Sequence, residues 1–337
     1  MKLIVTIPAY NEEANIGHVV REIPRAIAGI RQVEVLVLDD GSGDRTASVA
    51  LTAGADYVVR HPRNRGLAAA FRSALHEALA RGADVIVNTD GDNHYDQSKI
   101  PDLVQPLLKG EADIVIGSRV LNGVRMRWAN RNGNRAANFI MQRLLGLPEV
   151  DVSSGFRAYT REAALKLNIL PGHTYTHETI INALDQRLVI ANVPLLAREV
   201  SRPSRLIRSL PTHIWKAGLV ILRSFTLYRP LQVYGVLGLV FSLAGAVPFA
   251  RFLIGYLQGN TAGHVQSLIA GAVLWFLGIQ CFAGGLIASA IGWNRRLIEE
   301  VLFRVKNEQL GQGAAASSEH EEPVPLRPVI GRKQRAA

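Results

Sequence analysis

Three short acidic stretches carry the residue types from which chemistry could be built. The densest is NTDGDNHYD, Asn88–Asp96, in which one residue separates Asp90 from Asp92. Two carboxylates that close repel each other unless a cation sits between or beside them. A hard divalent ion takes oxygen ligands and keeps substrate phosphates as co-ligands, so the pair suits a nucleoside diphosphate. A D-x-D triplet alone is a weak signal, because acidic pairs are common in surface turns. IPAYNEE (Ile7–Glu13) and VLVLDDGSGDRT (Val35–Thr46) are the other two stretches. Each also has a plain structural reading: Asn11 or Glu12 could begin a helix, and Asp44 could cap the next one.

What raises all three is the pattern of elements around them. Apolar runs rich in Val and Ile, at Leu3–Ile7, Val33–Leu38, Tyr57–Val59, Val85–Asn88 and Ile114–Ile116, read as strands. Helical patterns lie between them at Glu13–Ala28, Arg45–Ala53, Leu67–Arg81 and Ile100–Lys109. This alternation predicts an α/β domain over about residues 1–200, with a mostly parallel sheet covered by helices on both faces. Ligands of such sheets sit beyond the carboxyl ends of the strands, where the three acidic stretches fall and would converge. A further helix near Glu178–Gln186 and a strand near Leu188–Pro194 complete the domain.

The chain has 337 residues, is 48% hydrophobic and carries a formal charge of +10. The two values agree if the apolar residues are concentrated, and they are. Leu231–Ala250 and Val265–Gly292 contain no charged residue, and each reaches the roughly 20 residues that cross a bilayer. The sequence predicts a transmembrane hairpin over 230–293, with spans at about 231–252 and 265–291. Arg223 and Arg229 precede the first span, and Arg295, Arg296, Arg304 and Lys306 follow the second, while the connecting loop has no Lys or Arg. That asymmetry places both termini and the catalytic domain in the cytoplasm, at the inner membrane. Arg251 would snorkel to the far headgroups. Residues 201–229, in a basic segment that begins at Arg198, read as an interfacial helix on anionic lipid. Residues 294–306 read as the cytoplasmic end of the second helix, and 307–337 as a disordered tail. A single cysteine, Cys281, excludes a disulfide framework. The N-terminal apolar run is too short for a signal peptide. Charge this close to the spans is explained by anionic lipid, so no nucleic-acid partner is expected.

In combination, IPAYNEE, LDDGSGDRT, the acidic turn, IVIGSR and DVSSGFRAY resemble the family 2 glycosyltransferases of GT-A, Rossmann-like fold, over roughly residues 1–210. The hairpin resembles the membrane-anchored polyprenyl-phosphate hexose synthases of the dolichol-phosphate mannose synthase type. The resemblance implies that Pro8, Tyr10, Glu12, Asp39 and Asp40 hold the base and ribose of a nucleotide-sugar donor. It implies that Asp90 faces the nucleotide and Asp92 the divalent cation, Mg²⁺ or Mn²⁺, with Asp90 also within reach of the metal. The family often has glutamine where this chain has His94. Imidazole tolerates Mn²⁺ better than Mg²⁺, and whether His94 ligates stays open. His177 and Glu178 fall near a helix start facing the site; Glu178 could bind sugar hydroxyls or act as a base.

Guanidinium groups match phosphate oxygens in pairs, and Arg119, Arg127, Arg131, Arg135 and Arg157 form a group suited to a lipid-phosphate acceptor. The resemblance singles out Arg119 and Arg131. It also makes Arg202 and Arg205, in SRPSRL, candidates for neutralising the departing diphosphate. A phosphate acceptor is already anionic, so a single inverting displacement needs no strong base. Two alternatives stay open: another lipid or glycan acceptor, or a catalytically silent nucleotide-binding membrane protein. The Q-x-x-R-W motif of processive synthases is absent from the sequence. The sequence does not exclude an oligomer.

Overall fold

The computed structural model describes residues 1–118, 151–152, 154–169, 175–195, 198, 226, 229–259 and 265–319. Arg119, Arg127, Arg131, Arg135, Arg202, Arg205 and, apart from Thr226 and Arg229, the expected interfacial helix lie outside these residues.

β1 (Lys2–Ala9) and β2 (Gln32–Asp39) are buried along nearly their whole length, as continuous Val/Ile/Leu runs must be when helices cover both faces. They alternate with α1 (Ile16–Glu22), α2 (Thr46–Thr52), β3 (Tyr57–Arg60), α3 (Leu67–Ala80), β4 (Val85–Asn88), α4 (Ile100–Leu108) and β5 (Ile114–Ser118). Next come β6 (Arg157–Thr160), α5 (Arg161–Lys166), α6 (Tyr175–Asp185) and β7 (Ile190–Pro194). The described strands form one seven-stranded sheet in the order β3-β2-β1-β4-β6-β5-β7. All pairings are parallel except those of β6, which runs antiparallel between β4 and β5. Sequence periodicity gives no direction to so short a strand.

α1 is shorter than its apolar pattern. Pro24 forces Ile23 into an extended conformation (φ −66°, ψ 121°), which ends the helix at Glu22. One side of the sheet packs on α1 and α4 through Ile16, Val20, Leu103 and Val104. The other packs on α3, α5 and α6 through Phe71, Leu75, Leu165 and Ile180.

Two long helices follow, α7 (Pro230–Leu257) and α8 (Val265–Glu319). Both are long and apolar enough to cross a membrane. Only 11% and 17% of their most apolar windows are buried, unlike core helices of a soluble fold. Four glycines let them pack closely. A Cβ on Gly238 would meet Gly278 O at 3.0 Å, and one on Gly245 would meet Gly271 O at 3.0 Å. This is the small-residue contact that brings membrane helices together without a hydrophobic driving force.

α8 runs on past its apolar part and does not end before the expected tail. It continues through Asn307 to Glu319, and as far as Leu310 its polar half has a surface to bind. Phe303 and Leu310, seven residues apart and thus on one helical face, pack on the α3/α5/α6 side of the core. Lys306 Nζ donates to Asn168 Oδ1 at 2.7 Å, and Gln186 Nε2 to Glu299 Oε2 at 2.8 Å. Burial lowers the Lys306 pKa from its ordinary value.

Candidate active site

The register brings the first two motifs side by side. Ala9 pairs with Asp39, and Thr6 with Asn88, so the ends of β1, β2 and β4 share one edge. Asn11, at φ 52°, accepts Gly43 N–H on Oδ1 and gives its own N–H to Ser42 Oγ, both at 2.9 Å. Glu12 N–H donates to Thr46 Oγ1 at 2.9 Å, and Glu13 pairs with Arg45 at 2.5 Å. Loops from two strands are thereby fixed as one wall. Pro8 is the last residue but one of β1 within that wall, and Tyr10 stands exposed on it.

Asp39 and Asp40 are both nearly inaccessible but differ in what they hold. Asp39 Oδ1 accepts Ser42 N–H at 2.8 Å. Its Oδ2 lies 3.1 Å from Arg60 Nε without hydrogen-bond geometry, which leaves an acceptor short of a donor beneath a half-exposed arginine. Asp40 is fully committed. It accepts from Arg65 N (3.0 Å) and Gly66 N (2.8 Å) and contacts His61 Nδ1 at 2.7 Å. His61 Nε2 in turn reaches Ser73 Oγ at 3.0 Å. Gly41, at φ +74°, is pressed so tightly on this loop that a Cβ would stand 2.5 Å from the Arg63 carbonyl carbon. Asp40 therefore shapes the loop after β3. His61 and Ser73, whose partners lie 21 and 12 residues away, carried no local signal in the sequence.

The acidic turn leaves β4 against the first motif: a Cβ on Gly91 would sit 3.6 Å from Pro8 O and 3.7 Å from Glu12 Cγ. Asp92 Oδ1 accepts His94 N–H at 3.1 Å. Behind the turn, Asn88 Nδ2 donates to Gly155 O (2.9 Å) and Tyr175 Oη (3.2 Å), while Gly155 N–H donates to Tyr95 Oη at 3.0 Å. Burial, and then the charge of Asp90, push the Tyr175 hydroxyl pKa well above 10.0. Glu178 lies one turn along α6 from Tyr175, on the same face. His177 contacts Thr176 Oγ1 through Nδ1 at 3.3 Å.

Two arginines stand elsewhere than the sequence suggested. Arg157 is not on an acceptor surface. It is completely buried and donates to Ser154 O, Val152 O and Thr176 O at 2.8–2.9 Å, so that one guanidinium fork ties two loop carbonyls to the first turn of α6. Arg198 is not free for lipid headgroups. It pairs with Glu22, donates to Asn93 Oδ1 at 2.8 Å and lies 3.3 Å from Asp96 Oδ1, while its N–H donates to His94 O.

Asp39, Asp90 and Asp92 thus all stand at or just beyond strand ends on the carboxyl edge of the sheet, the edge at which α/β folds bind ligands. Residues 4–167 match glycosyl transferase family 2. A polyprenol monophosphomannose synthase of Mycolicibacterium smegmatis is 30% identical over 210 residues, 59% of this chain and 78% of that protein. A dolichyl-phosphate hexose transferase of Haloferax volcanii is 32% identical over 205 residues, 60% of this chain and 86% of the other. The chain belongs to glycosyl transferase family 2. Within it, the named relatives make this family 2 chain a hexosyltransferase. Glucosyl-3-phosphoglycerate synthase of Mycobacterium tuberculosis, solved with Mn²⁺, uridine diphosphate and glucosyl-3-phosphoglycerate, superposes at a TM-score of 0.50. It is 27% identical, and the match covers 65% of this chain and 79% of that one. The mostly parallel sheet is of this GT-A type.

The donor set is consistent with the divalent cation seen in that structural neighbour. Among the described residues, no three His, Cys, Asp or Glu side chains gather into a ready-made metal-holding group. Asp92 keeps Oδ2 for an added ligand. One or two carboxylates completed by substrate phosphates is the habit of a hard cation.

Proposed function

We propose that the chain transfers a sugar from a nucleoside-diphosphate sugar to a polyprenyl phosphate at the cytoplasmic face of the membrane. The observation that carries this reading is that the strand-edge aspartates and an apolar hairpin belong to one body, bound together by the polar half of α8. The names of the relatives support the polyprenyl-phosphate acceptor class and the transfer of a hexose. The M. tuberculosis neighbour has phosphoglycerate in its name; a soluble acceptor of that kind would leave the hairpin without a purpose. Lys and Arg flank both ends of the hairpin and are missing from its loop, which favours a cytoplasmic catalytic domain.

In this scheme Pro8, Tyr10, Glu12 and Asp39 hold the nucleoside, and Asp40 holds the loop beside them. Asp90 and Asp92 face the diphosphate. A bound divalent cation would supply charge neutralisation for the leaving diphosphate. Arg119 and Arg131 orient the acceptor phosphate, and Arg202 and Arg205 stabilise the departing oxygens. Glu178 binds sugar hydroxyls. The acceptor phosphate is anionic at neutral pH, so its oxygen attacks the anomeric carbon in line, with inversion, and positioning supplies most of the rate.

The test compares Asp92→Ala with the unsubstituted protein for formation of labelled lipid from a nucleotide sugar in the presence of Mg²⁺ or Mn²⁺. The proposal expects a loss of at least about 100-fold. Equal rates would remove the acidic turn from the reaction.

A further inference from the structure

The two long helices and the catalytic domain border a small, half-open pocket where the apolar part of the hairpin ends. It is lined by Asp185 at the end of α6, Pro230 at the start of α7, and Ser289, Trp293, Arg295 and Arg296 on α8. Ser289, Trp293 and Arg296 follow at i, i+4 and i+7, so they share one face of α8. Arg296 Nη2 contacts Asp185 Oδ1 at 2.5 Å, and Arg295 Nε contacts Glu299 Oε1 at 2.7 Å. The charges balance in number but not in position. The side chains of Asp185 and Glu299 are only 11% and 6% exposed, whereas that of Arg296 is 55% exposed and Trp293 stands 66% exposed beside it. The more accessible part of the lining therefore carries a guanidinium and an indole, with a serine beside them, each able to donate a hydrogen bond.

We propose that this pocket binds the phosphate of an anionic membrane lipid, with the acyl chains lying along the exposed apolar sides of α7 and α8. Three features fit this ligand. Guanidinium groups pair with phosphate oxygens. Basic pockets between membrane helices at the cytoplasmic side suit anionic headgroups. A tryptophan with one apolar and one polar edge belongs at headgroup depth. Leu286, Ile287 and Ile291, each 62% exposed, continue from the pocket along α8 and supply the apolar surface for the chains.

The pocket is separate from the reaction centre. α6 has Tyr175 beside Asp90 at its first residue and Asp185 in the pocket at its last, and 11 helical residues span about 16 Å. The lipid held here is thus not the one being glycosylated, and the inference needs the membrane hairpin but not the transfer reaction.

The test uses the full chain in a neutral detergent, titrated separately with phosphatidylglycerol, phosphatidylcholine, a polyprenyl phosphate and inorganic phosphate. The unfolding midpoint and retained lipid in native mass spectrometry are the readouts. Phosphatidylglycerol should bind and raise the midpoint, and phosphatidylcholine should do neither at equal concentration. Arg296→Gln should weaken that binding roughly fivefold, the effect of one cationic residue at a charged surface. Asp185→Asn, which removes the acid competing for Arg296, should tighten it. Opposite shifts in two variants cannot come from misfolding alone. Equal binding of the two phospholipids, or no change in either variant, would overturn the proposal. So would Arg296-dependent binding of inorganic phosphate alone, or of polyprenyl phosphate alone, which would make the pocket a soluble-anion site or the acceptor site.

Discussion

Both carboxylate oxygens of Asp90 lie 2.9 Å from the point where a Cβ on Gly155 would stand, and the Tyr175 hydroxyl lies at the same distance. The acidic turn, the loop before β6 and the start of α6 thus meet where only a glycine fits. Gly155→Ala is expected to displace Asp90 and lower transfer roughly 100-fold, the scale of a misplacement of about 1 Å. The overpacking should reduce stability by about 1–3 kcal/mol. Turnover and a thermal melt on the same preparation check both. Full activity would show that the position of Asp90 does not matter.

The Asp40–His61–Ser73 chain makes a different claim. If His61 holds Asp40 in place for the loop Pro62–Gly66, then His61→Ala should raise the donor KM several-fold and leave kcat within about twofold. Stability should fall by about 1–3 kcal/mol, since Asp40 loses a buried partner. A fall in kcat at constant KM would place His61 in the chemistry instead.

Arg157 gives a third expectation. Arg157→Met would leave the buried Ser154 and Val152 carbonyls without this donor, a loss of roughly 3 kcal/mol or more. Arg157→Lys should recover only part of this, because an ammonium cannot reproduce the fork. Urea midpoints measure the effect. A variant of native stability with weakened acceptor binding would return Arg157 to the acceptor side.

These cases mark where the sequence was legible. Asp39, Asp90 and the end of β1 could be placed because strand ends follow from local runs of Val and Ile, and parallel topology then puts those ends on one edge. Pro24 was visible too, and its effect on α1 is a local rule that the apolar pattern masked. Arg157 was misread because an arginine after a short polar loop is normally solvated; only the carbonyls around it explain its burial. His61 and Tyr175 act through residues up to 87 positions away. The helical course of α8 beyond Lys306 depends on the docking of Phe303 and Leu310, which no composition rule reveals.

Alkaline pH probes the buried tyrosines. Burial pushes the Tyr159 hydroxyl from 10.0 up to about 12. The unfolded chain releases this proton near pH 10 and the folded chain holds it. The associated stability is therefore fully present below pH 10 and disappears as pH rises through about 12. Tyrosinate absorbance near neutral to strongly alkaline pH should show Tyr159 and Tyr175 ionising last, together with unfolding. Tyr159→Phe should flatten part of that stability loss. Ionisation of all eight tyrosines near pH 10 in the folded protein would contradict the packing described.

The most direct test of the account is transfer itself. Membranes containing the protein are incubated with a panel of radiolabelled nucleotide sugars and polyprenyl phosphate, and the organic phase is analysed for labelled lipid. The account predicts an acid-labile glycosylated lipid from one donor, formed only when polyprenyl phosphate is present. Donor turnover that yields only free sugar or a water-soluble glycoside, with no labelled lipid from any donor, would contradict it.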